Sequence, residues 1–384
     1  MSKLDEPIQQ YCPDGVEYVK IKDCFTRLRG TPITAGKMKK IACEDGEIKI
    51  FAGGKTIIDA HESDIPNANI TRVPAVLVQS RGVIDFVFYD KPFTFKNEMW
   101  AYTAADIVTV KYLYYVLKNN VQHFRDAASG MGSLPQISTP VTEEFEVPLP
   151  ALTVQREIVR ILDGFTLYSA ELSAELSARR EQFEEYRDIL LSDGKKTVLG
   201  DVACYSNERI SASQITGKTY VGVENLLQNK QGKVDATAVP NTGKVIKFSK
   251  GDILIGNIRP YLKKIWFADL EGGTNGDVLA INVRDTHSVL PKFLFYVLSS
   301  DSFFNYDMSF SKGAKMPRGD KDAVMKYEFL LPSIEKQRNI VSILDKFNIL
   351  INGVEDGLPA EIEARQKQYE YYRDKLLTFK RKEA

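Results

Sequence analysis

A long stretch of this chain occurs twice, and this duplication constrains the fold more than any other feature. The segment Leu149–Phe165 returns at Leu331–Phe347, an offset of 182 residues, with the shared pattern Leu-Pro-x-x-x-x-Gln-Arg-x-Ile-Val-x-Ile-Leu-Asp-x-Phe. The block Tyr186–Leu191 returns at Tyr372–Leu377, an offset of 186, so the second copy has four more residues between its two blocks. A repeat of this length indicates two similar structural units. Two units related by a pseudo-twofold axis suit a ligand that itself has two ends.

The composition is that of an ordinary globular protein. The chain has 384 residues, of which 43% are hydrophobic and 27% charged, enough for two or three domains with their own cores. The sequence has no apolar run of about 18 residues, so we expect no membrane span, and the charged segment Met1–Glu6 is not typical of a signal peptide. The four cysteines lack CxxC or CxxH spacing, which predicts reduced thiols in a cytoplasmic protein, without a disulfide frame or zinc site.

The charges balance. Lys and Arg total 51, and Asp and Glu total 51. Proteins that bind nucleic acids usually show a basic excess, so this balance counts mildly against DNA. It does not exclude DNA, because local patches set the affinity for phosphate.

The repeat divides the chain into four segments, and together they predict a mixed α/β fold with two similar globular domains. Residues 1–150 and 195–332 carry strand signals, a short apolar helix and a Gly/Pro loop in the same order. Residues 151–194 and 333–384 carry helical periodicity. The predicted strands are 75–78, 83–89, 251–255 and 279–283, the apolar helices are 111–117 and 292–298, and the loops are 130–135 and 313–319.

The two helical segments carry heptad patterns, which predict that they pair as a coiled coil. The seam positions are Leu172, Leu176, Arg179, Phe183, Tyr186 and Leu190 in the first copy, and Leu358, Ile362, Arg365, Tyr369, Tyr372, Leu376 and Phe379 in the second. An arginine breaks each seam at the equivalent place. It either fixes the register by pairing with Glu175 or Glu361, or extends to solvent. Gly353, Gly357 and Pro359 predict that the second helix is broken.

The order of the segments predicts how the helices run. Each globular domain leads into the start of one helix, and the first helix leads into the second domain. If the two helices pair and the fold is duplicated, they run antiparallel, and the end of the chain lies near its start. The helices then act as a spacer between two reading domains.

Catalysis finds little support in the sequence. No Walker motif and no GxSxG elbow occur. His61, His123 and His287 are isolated and lack the spacing of metal ligands, so no metal site is predicted. A single-chain enzyme, such as a methyltransferase with its own recognition domain, is therefore disfavoured.

Basic and aromatic clusters follow strands in both domains. Lys and Arg bind phosphate, Arg reads guanine, and Asn or Gln reads adenine, so such loops favour DNA. For any single residue, a solvated surface loop remains the alternative. The candidate DNA-binding residues are Arg72, Gln79, Ser80, Arg81, Asn257, Arg259, Tyr261, Lys263, Lys264, Lys312, Lys315 and Arg318.

The repeated motif, together with Arg179–Asp188 and Arg365–Asp374, resembles the conserved helical regions of type I restriction–modification specificity subunits. The resemblance covers the whole chain as recognition domain, helix, recognition domain, helix. The first helical region departs from it by lacking the stretch found at 357–362, which leaves the equality of the two helices open.

The resemblance implies a non-catalytic subunit that binds double-stranded DNA, each domain reading one part of a split, asymmetric target. The conserved helices would space the domains and bind two methyltransferase subunits, which supply S-adenosylmethionine. Restriction subunits would use ATP and Mg²⁺, so this chain would bind no cofactor. A coiled-coil scaffold that binds proteins but not DNA is the alternative. The candidate partner-binding residues are Gln155, Arg156, Tyr186, Arg187, Gln337, Arg338, Tyr372 and Arg373.

Overall fold

A computed structural model describes residues 12–65, 67–129, 134–353 and 357–383. The chain forms two compact units. Unit 1 comprises Met1–Ala170 and Ala364–Ala384, and unit 2 comprises Glu171–Glu363. Each unit therefore combines one predicted recognition domain with parts of both helical segments. The four-segment division of the chain remains a prediction, whereas the mixed α/β class is confirmed by the strands and helices of both units.

In unit 1 a run of strands, interrupted only by short helices near its start, is followed by a group of helices, a last short strand and the long helix of the repeat. Its strands are β1 (Tyr18–Lys20), β2 (Thr26–Arg29), β3 (Ile48–Phe51), β4 (Ile57–Ala60), β5 (Ala75–Gln79), β6 (Asp85–Tyr89), β7 (Phe93–Phe95), β8 (Trp100–Thr103) and β9 (Glu146–Pro148). Its helices are α1 (Ile21–Cys24), α2 (Ala35–Ile41), α3 (Ile107–Asn119), α4 (Val121–Asp126) and α5 (Thr139–Glu143), followed by the long helix α6 (Leu152–Leu190), of which the part up to Ala170 belongs to this unit.

Unit 2 repeats this order. Its strands are β10 (Lys195–Val198), β11 (Ala203–Tyr205), β12 (Arg209–Ser211), β13 (Tyr220–Val221), β14 (Lys244–Phe248), β15 (Ile253–Gly256), β16 (Ile265–Phe267), β17 (Gly272–Thr274), β18 (Val278–Val283) and β19 (Glu328–Leu331). Its helices are α7 (Leu199–Val202), α8 (Pro291–Leu298), α9 (Asp301–Phe310), α10 (Lys321–Met325) and α11 (Ile334–Asn352), followed by α12 (Leu358–Leu377), most of which belongs to unit 1.

The main sheet has the same topology in both units. Its strand order is β2-β8-β5-β6 in unit 1 and β11-β18-β15-β16 in unit 2, with antiparallel neighbours throughout. The predicted strands are confirmed as β5, β6, β15 and β18. β6 and β15 begin two residues later than predicted, because Gly82 and Gly251 have positive φ and turn the chain before each strand.

A smaller sheet differs between the units. In unit 1 its order is β4-β3-β7, where β3 pairs with β7 in parallel. In unit 2 its order is β12-β14-β17-β13, where β14 pairs with β17 antiparallel. A two-stranded pair returns in both units, as β1 with β9 and β10 with β19. The duplication thus preserves the main sheet and this pair, and the small sheet has diverged.

Each main sheet packs against the predicted apolar helix, which in turn packs against a repeat helix. Tyr112 and Leu113 of α3 share a buried cluster with Leu162 of α6, and Leu294 of α8 shares one with Leu344 of α11. Leu162 and Leu344 are equivalent in the repeat and both are fully buried. The repeated apolar positions are therefore core contacts that join each helical segment to its own domain.

The helices run antiparallel in unit 1, as the order of the segments predicted, and they also contact each other in unit 2. In unit 1 the ring of Phe165 stacks 5.7 Å from that of Tyr372, and three residues further along α6 the ring of Tyr168 lies 5.5 Å from the guanidinium of Arg365. In unit 2 the rings of Phe183 and Phe347 lie 6.3 Å apart. Gly353 ends α11 and α12 begins only at Leu358, so the predicted break in the second helical segment is confirmed.

The seam arginines make equivalent contacts. Arg179 donates to Gln182 at 2.9 Å and lies 3.4 Å from Glu175, and Arg365 donates to Gln368 at 2.8 Å. The side chain of Arg179 is 43% exposed, so it both pairs with Glu175 and reaches solvent. The two alternatives drawn from the sequence are thus combined in one side chain.

The end of the chain lies beside its start in unit 1. The amide of Val16 donates to the carbonyl of Lys380, and the amide of Lys382 donates to the carbonyl of Val16, both at 2.9 Å. The hydroxyl of Tyr18 donates to the carbonyl of Phe379 at 3.0 Å. The prediction that the end of the chain lies near its start is therefore confirmed, whereas the role of the helices as a spacer remains a prediction.

In the described ranges we find no helix with the length and apolarity to cross a membrane.

Candidate nucleic-acid interface

In unit 2 the end of a buried strand is joined to the predicted Gly/Pro loop. The amide of Arg259, three residues after β15, donates to the carbonyl of Pro317 at 2.7 Å, and the amide of Gly319 donates to the carbonyl of Asn257 at 3.0 Å. Lys312 and Arg318 exchange two backbone hydrogen bonds of 2.9 Å and close the loop. The two basic clusters, Arg259–Lys264 and Lys312–Arg318, therefore form one edge of the domain although they are distant in the sequence.

Unit 1 has an equivalent edge. The amide of Ile137 donates to the carbonyl of Ser80 at 2.9 Å, and the amide of Gly82 donates to the carbonyl of Pro135 at 2.8 Å. These bonds join the end of β5 to the segment after the predicted loop 130–135, of which residues 130–133 lie outside the described part of the chain. The same backbone frame thus presents unlike side chains in the two units.

The exposed cations of the unit 2 loop form only weak ion pairs. Lys312, 83% exposed, lies 2.9 Å from Asp320, and Arg318 lies 3.2 Å from Asp277. Lys315 is exposed at the tip of the loop. Exposed ion pairs of this kind contribute little to stability, so a phosphate can replace the carboxylates at little cost. The loop is therefore suited to binding a polyanion.

The turn after β15 is held in a strained conformation. Arg259 and Lys263 have φ of 53° and 48°, the left-handed region that non-glycine residues seldom adopt. The carbonyls of Leu262 and Lys263 accept from the amides of Asn229 and Lys230, both at 2.9 Å. Tyr261 at the tip of this turn is half exposed. This constrained backbone holds Tyr261, an exposed aromatic residue, beside the basic loop.

Several predicted DNA-binding residues are buried or bonded internally, and their role in DNA contact remains a prediction. Gln79, Ser80 and Asn257 are buried at the strand ends, and the Ser80 hydroxyl donates to the carbonyl of Glu98 at 2.7 Å. The ammonium of Lys264 donates to the carbonyl of Val223 at 2.6 Å. Burial lowers the pKa of Lys264. These side chains support the edge from inside, because the strand ends lie within the core.

Lys263 belongs to an ion-pair network under the turn. Its ammonium lies 2.8 Å from Asp301, which also accepts from Lys230 at 2.9 Å. Lys230 pairs in addition with Glu184 of α6 at 3.0 Å. Burial alone would raise the pKa of Asp301, but the hydrogen bonds from Lys263 and Lys230 outweigh it and hold the pKa at about 2. This network connects the turn to α6 through Lys230, and a role of Lys263 in DNA contact remains a prediction.

Of the remaining candidates in unit 1, Arg81 is exposed on the frame, opposite Gln136. Arg72 lies away from this frame and pairs with Glu62 at 2.5 Å. The exposed residues Arg72, Arg81, Tyr261, Lys312, Lys315 and Arg318 remain predictions for DNA contact, while Arg259 is partly buried and its Nε has no hydrogen-bond partner in the described parts of the chain.

The predicted partner-binding residues divide in the same way. Gln155 and Gln337 are buried and each donates to the carbonyl of the proline five residues earlier, at 2.8 and 2.9 Å. Arg187 is fully buried. These three side chains face inward, and their role in partner binding remains a prediction. Exposed or partly exposed residues on the helices are Arg156, Tyr186, Arg338, Tyr372 and Arg373, which remain predictions.

The repeated aspartate of the motif has a function that the sequence analysis missed. Asp163 accepts from the ammonium of Lys111 at 2.6 Å and from the hydroxyl of Tyr115 at 2.7 Å. In unit 2, Asp345 accepts from the hydroxyl of Tyr296, and the ammonium of Lys292 lies 3.7 Å away. The signal was present as Lys-x-x-x-Tyr in both apolar helices, which places the two side chains on one helical face.

Comparison with known proteins gives one family. The family model for the type I restriction modification DNA specificity domain matches residues 13–180 and again residues 192–364. The chain is 28% identical over 365 residues to the specificity subunit of the type I restriction enzyme EcoR124I/EcoR124II from Escherichia coli, covering 88% of each chain. The two family matches coincide with the two halves of the repeat.

Solved structures share the fold. The type I restriction–modification S subunit from M. genitalium superimposes with a TM-score of 0.59 at 15% identity, covering 94% of this chain and 96% of that one. A chain from a study of complex assembly and conformational transition in the type I system gives 0.56 at 14% identity, covering 95% and 98%. Both likenesses concern the fold alone.

Proposed function

We propose that this chain, which belongs to the family of type I restriction–modification DNA specificity subunits, recognises a DNA target in two unlike parts, one for each unit. Target recognition on DNA is the role of that family. The observation that carries the proposal is the duplicated edge. The same strand end and loop are joined by hydrogen bonds in both units, while the exposed residues differ, with Arg81 in unit 1 and Tyr261, Lys315 and Arg318 in unit 2. Equal frames with unlike surfaces suit an asymmetric target.

The chemistry of the unit 2 edge supports contact with duplex DNA. Lys312 and Lys315 are exposed ammonium groups that suit phosphate oxygens, and the fork of Arg318 matches either phosphate or the N7 and O6 acceptors of guanine. The neutral overall charge of the chain is no obstacle, because three exposed cations lie together on one loop and local patches set the affinity for phosphate. We expect binding to weaken steeply with salt as counterions are released.

The subunit is further proposed to be non-catalytic and to act with partners in the cytoplasm. Two methyltransferase subunits would supply S-adenosylmethionine, and restriction subunits would supply ATP- and Mg²⁺-dependent steps, so this chain would bind none of these. Arg156 and Arg338 are exposed at equivalent places near the starts of α6 and α11. Two equivalent surfaces suit two copies of one partner. Reversing either charge, as in R156E or R338E, is expected to weaken co-purification with the methyltransferase subunit.

A domain exchange tests the two-part reading. Residues 195–332 are replaced by the matching segment of a relative with a different target, and the methylated bases are mapped by sequencing after co-expression with the methyltransferase subunit. We expect one half of the target to change and the other half to stay. The reciprocal exchange of residues 1–150 is the matched control and is expected to change only the other half.

The outcomes separate the proposal from its alternatives. A change in both halves after either exchange would contradict the assignment of one half-site to each unit. If no bipartite sequence is enriched from a random pool of DNA duplexes while the partner subunits still assemble, the alternative of a scaffold that binds only proteins would be favoured. Binding of S-adenosylmethionine by the purified chain alone would contradict its non-catalytic role.

A further inference from the structure

The small sheet of unit 1 brings together three side chains with metal-ligating atoms. Cys43, Asp45 and His61 offer a sulfur, a carboxylate oxygen and a ring nitrogen that all lie within 4.8 Å of one another, and the Nε2 of His61 lies 3.5 Å from the Oδ1 of Asp45. Their linear spacing does not match any common zinc motif, so sequence analysis could not predict the cluster. The β3–β4 hairpin closes the gap of 16 residues between Asp45 and His61.

The backbone holds the three residues in place. The amide of Cys43 donates to the carbonyl of Asp59 at 3.0 Å, which fixes the segment before β3 against the end of β4. Between Cys43 and β3, the chain passes so close to Ala60 that a Cβ on Gly46 would lie 2.2 Å from the Ala60 nitrogen. Glycine alone permits this approach. The Asp45 side chain is thus brought to the same edge as His61.

A carboxylate orients the imidazole of His61. The Nδ1 of His61 bonds to one oxygen of Glu47 at 2.8 Å, and the other oxygen of Glu47 accepts from the amide of Glu62 at 2.7 Å. With Nδ1 engaged by the carboxylate, the lone pair of the neutral ring is on Nε2, the atom that faces Asp45. Histidine ligands in metal sites are usually held by such a carboxylate partner.

We propose that Cys43, Asp45 and His61 bind a divalent zinc-class metal ion, with Glu47 as the positioning residue for His61. Ligand atoms around a tetrahedral zinc ion with bonds of about 2.0–2.3 Å lie roughly 3.3–3.6 Å apart, close to the 3.5 Å between His61 and Asp45. A donor set of sulfur, nitrogen and oxygen suits Zn²⁺, whereas Mg²⁺ and Ca²⁺ prefer oxygen alone.

The ion would fasten the segment before β3 to the residue after β4. Cys43 would lose its thiol proton to solvent on binding, and a fourth coordination position would remain open to water because Asp45 is exposed and His61 partly exposed. Within the described residues this is the one group of its kind, and it lies in the small sheet whose topology differs between the units. The metal would therefore be a feature of unit 1, independent of the proposed role in DNA recognition.

Titration of the purified full-length chain with Co²⁺, after removal of metal by chelation under reducing conditions, tests the site. We expect one equivalent of Co²⁺ to produce a thiolate-to-cobalt charge-transfer absorption, and Zn²⁺ to displace it. C43S should abolish the absorption, and H61N should weaken Co²⁺ binding at least about 100-fold. E47Q keeps all three ligands and is expected to weaken binding by about 10- to 100-fold.

The controls use residues of the same types outside the cluster. Cys204 bonds to Asn282 and His287 is exposed, both in unit 2, so C204S and H287N should leave Co²⁺ binding unchanged. Absence of binding at micromolar metal would overturn the proposal, as would equal binding by the wild type, C43S and H61N. If H61N fails to fold, unchanged affinity in the folded E47Q variant would contradict the positioning role of Glu47.

Discussion

The two units of this molecule differ less in how they are held together than in what they expose. In each unit one aspartate of the repeated motif bonds to a lysine and a tyrosine that lie four residues apart on the apolar helix. The equivalent residues are Lys111, Tyr115 and Asp163 in unit 1, and Lys292, Tyr296 and Asp345 in unit 2. The repeat therefore preserves the contacts that join a helix to its domain, and the exposed edge of each domain has been free to diverge.

One equivalent pair departs from this rule. Arg187 is fully buried in unit 2, where it pairs with Glu184 at 2.6 Å and Asp188 at 2.8 Å and donates to the carbonyl of Ser299 at 3.3 Å. Ser299 ends α8, so the guanidinium also offsets the partial negative charge of that helix terminus. Arg373 in unit 1 bonds to Asp374 at 2.8 Å and is 24% exposed. The same arginine of the motif is therefore buried and bonded to its domain in unit 2, whereas in unit 1 it forms a partly exposed ion pair with the neighbouring aspartate.

Replacing each arginine by alanine should give the largest difference between the units. R187A removes a buried charge from its partners, which typically costs about 3–5 kcal/mol, and we expect about 3 because Glu184 and Asp188 can still be hydrated. R373A should cost about 1 kcal/mol or less. Urea denaturation measures the free energy of unfolding of both variants, and hydrogen exchange of the amides in α8 and α3 assigns each loss to its unit. Equal losses in the two variants would show that burial of Arg187 is not the cause.

The recognition edges differ in hydrogen bonding as well. In unit 1 the buried Ser80 hydroxyl has a partner, whereas in unit 2 both carboxylate oxygens of Asp307 and the Oδ1 of Asn257 lack one in the described residues. A Cβ on Gly319 would lie 2.5 Å from Asp307 and 2.7 Å from Asn257, so these groups crowd the end of the basic loop. Burial, assisted by the negative charge of Asp320, raises the pKa of Asp307 to about 6.

This raised pKa predicts a stability difference that depends on pH. The fold favours the protonated carboxyl, so stability from Asp307 is fully present below its ordinary pKa of about 4 and is lost as the pH rises to about 6. D307N should therefore be more stable than the wild type at pH 7.5, by on the order of 2 kcal/mol, and nearly equal to it below pH 4. Thermal midpoints of the two proteins, measured between pH 4 and 7.5, give this difference.

Asp301 is a control for which the pH dependence of stability has the opposite sign. Its pKa is held at about 2 by Lys263 and Lys230 despite burial, so its stabilisation is present above pH 4 and is lost only as the pH falls towards 2. D301N should therefore be less stable than the wild type at neutral pH. A D307N variant that is less stable than the wild type at pH 7.5 would mean that the charged form of Asp307 is satisfied in solution.

The shared aspartate contacts predict equal behaviour of the two units. Y115F and Y296F each remove a hydroxyl that donates to a carboxylate, which should cost about 1–2 kcal/mol in either unit. Burial, together with the neighbouring carboxylate, raises the pKa of both tyrosines, so each hydroxyl stays protonated as a donor. Denaturation of both variants measures the costs. Y114F, a change on the same helix at a partly buried ring, is the matched control and should cost less.

The sequence predicted the duplicated frame well and the exposed site only in part. The burial of Leu162 and Leu344 could be predicted from periodicity, and so could the buried strands around Leu77 and Leu254. A buried helix face or strand places its apolar residues at a regular spacing. Residues such as Gln79, Asn257 and Lys264 were assigned to the surface because polar side chains usually lie there. The Lys264 ammonium, for example, bonds to the distant carbonyl of Val223, and no local pattern encodes such a bond.

The smallest expected effect concerns the exposed cations, and it tests whether the two edges act separately. R81A in unit 1 and R318A in unit 2 should each weaken DNA binding by about 1 kcal/mol in the assembled complex. If both arginines contact phosphate, each change should reduce the slope of log K against log salt by about 1, and the loss should be the same for every target sequence. If one of them reads a base, its variant instead loses discrimination at one position of one half-site. R72A tests the other candidate of unit 1: Arg72 pairs with Glu62 away from the frame, and an unchanged slope would remove it from the predicted DNA contacts.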